Sequence, residues 1–175
     1  NTTYYNMEIS LKWLRDWIDL PETPEEIGRR LTMTGLEVEG IAEYETVKGG
    51  LKGLVIGEVL ECERHPNADK LSVTKVDVGQ EAPLPIVCGA PNVAKGQKVV
   101  VALPGATLYP SEGEPFTIKK SKIRGEVSEG MICAEDEIGL GKSHAGIMVL
   151  DTNLPNGTPA AEYFEISNDH VFTIG

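Results

Sequence analysis

The sequence is poor in the residues that build metal centres and disulfide frameworks. Its 175 residues include three cysteines and three histidines, and no two cysteines have the C-x-x-C spacing typical of zinc ribbons. An odd number of widely separated cysteines is also a poor basis for a set of disulfides. We therefore expect no metal site and no bound cofactor in this chain, and a reducing, cytoplasmic environment.

Membrane-spanning and catalytic patterns are missing as well. No apolar run approaches the roughly 20 residues that a membrane span requires, and no signal-peptide pattern is present. The motifs GxSxG, GxxxxGK[ST] and HExxH are absent, and no cysteine has a base as its neighbour. The sequence therefore predicts no catalytic residue, no metal ligand and no membrane partner.

Basic residues are outnumbered, and their placement along the chain is uneven. The formal net charge is -11, yet residues 64–124 contain nine basic and five acidic residues, whereas residues 1–44 contain four basic and nine acidic residues. The local surface potential governs polyanion binding more than the total charge does. The acidic total therefore weakens a nucleic-acid-binding interpretation without excluding it.

The most informative stretch is FTIKKSKIRGEVSEGMIC, residues 116–133. Apolar and polar residues alternate in its first half, which predicts a strand with a basic exposed face. A phase shift at 119–120 predicts a bulge there. The four cations of this strand are Lys119, Lys120, Lys122 and Arg124. They suit an anion-binding face, and they suit equally a solvated edge strand whose lysines prevent aggregation.

Short helices are expected before a turn-rich middle. Ser10 can cap a helix through LKWLRDWIDL, and Thr23, Pro24 and Glu26 form a capping box for a second helix that ends at Gly35. LEVEGI, residues 36–41, follows as a short strand. From about Tyr44 onward, five or six short strands at hairpin spacing predict a small closed barrel, with an OB fold as one option and a β-sandwich as another.

The loop RHPNADKL, residues 64–71, contains a turn at Pro66 and Asn67. His65 could be a metal ligand, a catalytic base or a nucleotide contact. A histidine that fixes the turn through Asp69 or the backbone is favoured, because no second histidine or cysteine lies nearby in the sequence.

These motifs resemble a known family. HPNADKL, VDVG, IVCGAPN, LPGATL and KIRGEVSEGMIC together resemble the tRNA-binding OB domain of the β subunits of bacterial phenylalanyl-tRNA synthetases. The flanking segments SLKWLRDWIDLP, LTMTGLEVEGI and NDHVFTIG are similar to the amino-terminal part of those subunits, in the same order. HPNADKL and RGxxSEGM also occur in free-standing tRNA-binding proteins, so the flanking segments decide the resemblance.

The resemblance implies a mainly β protein with α+β flanks. An OB-fold barrel, residues 45–159, would be inserted into a small discontinuous α+β domain made of residues 7–44 and 160–175. Residues 1–6, which precede Met7, are expected to be a cloning remnant. The chain is expected to be a piece of a longer β subunit.

The resemblance also implies an enzyme and its partners. Members of that family attach phenylalanine to its tRNA with ATP and magnesium, as assemblies of two α and two β subunits whose catalytic centre is in α. We therefore expect this chain to be inactive alone, to bind tRNA, and to bind neither DNA nor a membrane. The residues that match the family's tRNA-binding motif are Asn67, Lys70, Lys119, Lys120, Lys122, Arg124 and Ser128. Met131 also matches but suits the core better.

Two functions stay open. The chain is either a tRNA-binding module, or a structural or protein-interaction OB module with little tRNA affinity of its own. The cationic strand favours the first, and the acidic total favours the second. Tyr109 and Phe116 are the only aromatic residues between Tyr44 and Tyr163. Weak base stacking therefore makes recognition of the RNA backbone and shape the expected mode.

Overall fold

The computed structural model describes residues 6–175. The expected cloning remnant, residues 1–6, lies outside the described residues except for Asn6. Two compact units are present: the first comprises the chain up to Thr46 together with Ser167–Gly175, and the second comprises Val47–Ile166.

Short strands dominate the structure. The α-helices are α1 Leu11–Arg15, α2 Pro24–Met33 and α3 Ala160–Tyr163, with two short 3-10 segments at Lys48–Leu51 and Asp136–Ile138. The strands are β1 Met7–Ser10, β2 Val38–Glu45, β3 Leu54–Arg64, β4 Ser72–Asp77, β5 Leu84–Cys88, β6 Lys98–Ala102, β7 Thr107–Leu108, β8 Phe116–Thr117, β9 Ser121–Ile123, β10 Glu126–Ser128, β11 Met131–Ile132, β12 Val149–Leu150 and β13 Asn168–Ile174.

The first unit is a three-stranded antiparallel sheet with two helices. Its strand order is β1-β13-β2, so the end of the chain forms the central strand. The helix starts follow the sequence prediction: the Ser10 hydroxyl accepts a hydrogen bond from the Trp13 amide, and the Thr23 hydroxyl accepts one from the Glu26 amide. Helix α1 ends at Arg15, earlier than expected. The core of this unit consists of Leu11, Ile27, Phe172 and Ile174.

The second unit is an antiparallel barrel-like sheet. Its strand order is β11-β6-β3-β4-β5, and β12 pairs with the other half of β6. The last barrel strand is thus divided into β11 and β12, and residues 133–148 form a long loop between them. The Met148 amide donates to the Cys133 carbonyl at 3.0 Å and joins the two ends of this loop.

The long strand β3 bends so that it can pair on both sides. It pairs with β6 through its first half and with β4 through its second half, and its register with β4 shifts between Val59 and Glu61. A Cβ atom at Gly57 would lie 2.9–3.0 Å from Val76 and Val101, so the strands cross at a point where only glycine fits. Gly57 is therefore a close-packing position of β3.

A seam between β5 and the segment after β10 closes the barrel. The Glu129 amide donates to the Pro85 carbonyl at 2.7 Å, and the Val87 amide donates to the Ser128 hydroxyl at 3.1 Å. Ser128 is 2% exposed, and its hydroxyl donates in turn to the Gly130 carbonyl. The Ser128 hydroxyl oxygen therefore accepts the hydrogen bond that a backbone carbonyl would accept in a regular strand pair. The closed, five-stranded, mainly β arrangement confirms the expected OB-like fold and excludes the sandwich.

The predicted basic strand is two strands that belong to different hairpins. β8 pairs with β7, and β9 pairs with β10. Residues 118–120 lie between them without strand structure, at the position where the alternation changes phase. Ile118 is buried, and its amide donates to the Ala106 carbonyl at 2.8 Å. The prediction of a single strand was therefore wrong, because burial of Ile118 breaks the run.

Residues 160–166 belong to the compact second unit, although the sequence analysis grouped them with the flanking segments. Ala160 is fully buried in the larger core cluster of this unit, and Tyr163, Phe164 and Ile166 pack against the same cluster. The preceding residues run beside β3, where the Ile56 amide donates to the Thr158 carbonyl at 2.8 Å. We propose that Val47–Ile166 folds independently and is inserted between the two halves of the first unit.

A separate polypeptide of residues 47–166 should unfold cooperatively in urea. A polypeptide that ends at residue 159 should lose about 3 kcal/mol or more of unfolding free energy, because it lacks several apolar side chains of the core. Circular dichroism during urea titration measures both. Equal stability of the two polypeptides, or failure of 47–166 to fold, would contradict the proposed boundary.

The seam generates a second prediction. Ser128→Ala leaves the buried Val87 amide without an acceptor and should lower the unfolding free energy by about 1–3 kcal/mol. Ser121 is the register partner of Ser128 on the same hairpin but is exposed, so Ser121→Ala is the matched control, with an expected change within about 0.5 kcal/mol. Similar urea midpoints for the two variants would show that the seam does not depend on the hydroxyl.

Candidate nucleic-acid interface

The loop between β3 and β4 is held against the β9–β10 hairpin by His65. This side chain is 3% exposed. Its Nε2 lies 2.9 Å from the Ile123 carbonyl oxygen, and its Nδ1 accepts from the Asn67 amide at 3.0 Å. These partners require the neutral tautomer with the proton on Nε2, because a carbonyl can only accept. His65 therefore fixes the loop through the backbone, as the favoured interpretation predicted.

A second link joins the loop to the tip of the hairpin. The Asn67 side-chain amide donates to the Arg124 carbonyl at 3.4 Å. Arg124 has a φ of 51° and Gly125 a φ of 97°, which is the geometry of a two-residue hairpin turn that matches the strand twist. The turn thus directs Arg124 to solvent beside the loop that carries Lys70.

Three exposed cations belong to this joined loop and hairpin: Lys70, Lys122 and Arg124. Among residues 6–175, none of them has a salt-bridge partner, so their charges are available to a ligand. Lys122 lies opposite Val127 in the register of β9 and β10, and both are exposed. The structure therefore brings Asn67, Lys70, Lys122 and Arg124 to the same loop and hairpin, which we name the hairpin face.

Lys120 differs from its neighbours because it has an acidic partner. Its Nζ lies 2.9 Å from a Glu129 carboxylate oxygen, with the two side chains 66% and 26% exposed. Such a surface pair contributes little to stability, but it cancels one positive charge beside the hairpin. Lys120 is consequently a weaker phosphate ligand than the sequence suggested.

The remaining two predicted residues lie elsewhere. Lys119 lines a cleft on the barrel and not the outer side of the hairpin. Ser128 is buried in the seam, where its hydroxyl already has two protein partners. Its burial argues against the direct contact that the motif suggested, and we assign it a positioning role instead. Met131 packs against the larger core cluster, in agreement with the sequence interpretation.

The described residues offer little for catalysis or metal binding. Burial raises the pKa of the Cys133 and Cys88 thiols, so both are protonated and poorly nucleophilic at neutral pH. Within residues 6–175, no group of three histidine, cysteine or acidic side chains is placed to hold a metal ion. No helix among these residues is both long and apolar enough to cross a membrane.

Sequence reasoning missed two features of this surface. The pairing of Lys120 with Glu129 was not predicted, because no local pattern places these two side chains together. The link between His65 and Ile123 spans 58 positions in the sequence. The lack of a second histidine or cysteine near His65 in the sequence indicated a structural role, but no local pattern could have named a partner on a distant strand.

An OB-like barrel that carries exposed cations on one hairpin has the architecture of a polyanion-binding module. The chain belongs to the family described as "Putative tRNA binding domain", whose model matches residues 54–159.

Curated relatives cover almost the whole chain. The phenylalanine--tRNA ligase beta subunit of Porphyromonas gingivalis is 57% identical over 96% of this chain, and that of Bacteroides thetaiotaomicron is 56% identical over the same share. The chain spans 20% of the length of each. These relatives confirm the resemblance to the β subunit.

Solved structures add a weaker likeness. A "MetRS related protein" from Pyrococcus horikoshii shares 20% identity, with 60% of this chain and 85% of that chain covered and a TM-score of 0.44. At this TM-score the likeness carries no argument about fold or function.

His65 should contribute measurably to the placement of the loop. His65→Ala leaves the Ile123 carbonyl and the Asn67 amide without their buried partner, so we expect a loss of about 1–3 kcal/mol in unfolding free energy and faster hydrogen exchange of the Asn67 amide. Arg64→Ala is the matched control in the same loop, because it removes only the exposed Arg64–Asp69 ion pair. An Asn67 amide that exchanges at the parent rate in His65→Ala would contradict this role.

Proposed function

We propose that this chain is the amino-terminal tRNA-binding region of a phenylalanine–tRNA ligase β subunit. The observation that carries the proposal is the hairpin face: three cations without salt-bridge partners in the described part of the chain, held together by His65 and Asn67. The family match over the barrel and the ligase relatives over 96% of the chain support tRNA as the polyanion.

The hairpin face would act mainly on the RNA backbone. Lys70, Lys122 and Arg124 pair with phosphates and release counterions, and Asn67 can donate to a phosphate or a 2′-hydroxyl. Lys119 and Lys120 stay in the proposed contact set as secondary ligands, one at the cleft and the other shared with Glu129. Phosphate contacts position the RNA without reading its sequence. The module therefore adds affinity and orientation, and leaves the choice of tRNA to other parts of the ligase.

The chemistry of the whole ligase would be supplied elsewhere. We propose the ligase α subunit as a partner, in an assembly of two α and two β subunits that uses ATP and magnesium. The described residues do not fit a magnesium site, because no acidic cluster suitable for a metal ion is present among them. We therefore assign this chain no catalytic step. A cytoplasmic location follows from the proposed role in aminoacylation.

A second candidate function is a structural or protein-interaction role with little tRNA affinity. The first unit exposes several large apolar side chains, among them Trp17 and Met33, each 74% exposed. Such side chains are more typical of protein contacts than of RNA contacts. The net charge of -11 favours the same candidate.

Charge reversal on the hairpin face tests the proposal. Lys70→Glu with Lys122→Glu should weaken binding of unfractionated tRNA and reduce the slope of log affinity against log salt by about 1.5, since each phosphate contact contributes about 0.7–0.9. Fluorescence anisotropy with labelled tRNA at several salt concentrations measures both quantities. The melting temperature should not change, because exposed lysines contribute little to stability.

The matched control is Lys52→Glu with Lys95→Glu. Both lysines are exposed and lie on other loops, so the double control has the same net charge as the test variant. Equal weakening by the two double variants would show a general effect of charge. Unchanged affinity and slope in the hairpin-face variant would exclude the proposed face and favour the protein-interaction role.

A further inference from the structure

A cleft of about 520 Å³ lies on the barrel beside the hairpin. Its lining includes the turn after β5, residues 89–91, and residues of β9. Ile132 and Ser128 also belong to the lining and are buried, whereas Lys119 and His144 are exposed. All of these residues belong to the second unit.

The cleft and the hairpin face use different residues of one segment. Residues 117–119, Ser121 and Ile123 line the cleft, whereas Lys120, Lys122 and Arg124 do not. Successive side chains of a strand point to opposite sides, so within β9 the strand separates the cleft from Lys122 on the outer side. A ligand that contacts Lys122 and Arg124 can reach the cleft by passing over the edge of this short hairpin.

Most polar groups around the cleft are already engaged by the protein. The Thr117 hydroxyl is 3.0 Å from that of Thr107, a Glu137 carboxylate oxygen accepts from the Ala134 amide at 2.7 Å, and His144 Nδ1 lies 2.9 Å from an Asp136 carboxylate oxygen. The Lys119 amine and the Ser121 hydroxyl have no hydrogen-bond or ion-pair partner among the described residues. The cleft thus offers one unpaired cation and one hydroxyl on a surface of mixed polar and apolar character, which also includes Glu137 and His144.

We infer that this cleft takes one unpaired nucleotide of a bound RNA, with the base between residues 89–91 and Ile123 and its phosphate at Lys119. The inference rests on the proposed function and deepens it by naming the kind of RNA segment that is recognised. Clefts of roughly 300–1,000 Å³ hold small ligands, and one nucleotide is a ligand of this class. A base inside a duplex cannot enter, because its edges are paired and its faces are stacked.

The source of the nucleotide follows from the charges. A free nucleoside triphosphate carries several negative charges and is normally held by several cations or by a metal ion, whereas this cleft offers Lys119 alone. A nucleotide within RNA needs only one cation there, because the hairpin face holds neighbouring phosphates and raises the local concentration of the base. The cleft lining contains no Phe, Tyr or Trp, so the base is inserted mainly between aliphatic groups and its identity is weakly discriminated.

Two RNA hairpins with equal numbers of phosphates test the inference. One has a blunt, fully paired end, and the other has an unpaired 3′ extension that contains 2-aminopurine. We expect the parent chain to bind the extended hairpin about tenfold more tightly, because insertion of one base removes apolar surface from water. The fluorescence of 2-aminopurine should change on binding, because the base moves from water and stacked neighbours into the cleft.

Ser121→Leu provides a variant that fills the cleft without altering charge. Ser121 is exposed and lies on a strand, so the protein should fold, and circular dichroism verifies this. The preference for the extended hairpin and the fluorescence change should both disappear, while the salt slope for tRNA stays at the parent value. Ser121→Thr retains the hydroxyl and most of the space, so it should keep the preference.

The outcomes separate this inference from the proposed function. Equal affinity of the parent chain for both hairpins, with the expected salt slope for tRNA, would overturn the cleft assignment and leave the hairpin face intact. A fluorescence change that persists in Ser121→Leu would also overturn it. Competition by free AMP as strong as that of the extended hairpin would overturn RNA as the source. Loss of all tRNA binding in the parent chain would instead refute the proposed function itself.

Discussion

Closure of the barrel between β5 and the residues after β10 is the constraint on which this structure depends. Strands β5 and β11 are the two ends of the sheet, and neither end has a full backbone partner. Ser128 and Glu129 connect them with one side-chain and one backbone hydrogen bond. A buried amide without an acceptor costs more free energy than a typical hydrogen bond contributes. The seam therefore favours the closed barrel over other arrangements of the chain.

The same seam places the candidate site. β10 leads directly into the seam at Ser128 and Glu129. Its partner β9 therefore lies on the outer side of the barrel edge, where its cations are exposed to solvent. His65 then fastens the loop between β3 and β4 to this hairpin through the Ile123 carbonyl. Residues separated by more than 50 positions in the sequence thereby form one face. A buried imidazole and a backbone carbonyl maintain the contact between the loop and the hairpin, so the cations are not needed to hold these two segments together.

Charge is distributed so that an acidic protein can present a cationic surface. The first unit has eleven acidic and four basic residues, nearly all of them before Val47, whereas residues 64–124 of the barrel have nine basic and five acidic residues. Screening limits interactions between exposed charges to about 8–10 Å in physiological salt. The potential at the hairpin face therefore depends on its own residues, and the total charge is a poor guide to what this surface binds.

The sequence by itself determined the class of fold and the location of the cations. The helix caps at Ser10 and Thr23 and the spacing of short strands are local signals, because each depends on neighbouring residues. HPNADKL and the RGxxSEGM region indicated a tRNA-binding domain, and the flanking segments identified the β-subunit family. These motifs alone could not distinguish contact residues from supporting residues.

Tertiary structure decided which members of those motifs face solvent. Ser128 resembles a contact residue in sequence, yet it is buried as a hydrogen-bonding partner of a distant backbone amide. Lys119 and Lys122 lie three positions apart in one basic run, yet one lines the cleft and the other lies on the outer face. The physical reason is that barrel closure and strand alternation determine whether a side chain faces the cleft or the outer surface. Both depend on pairings between segments far apart in the sequence, which no local pattern encodes.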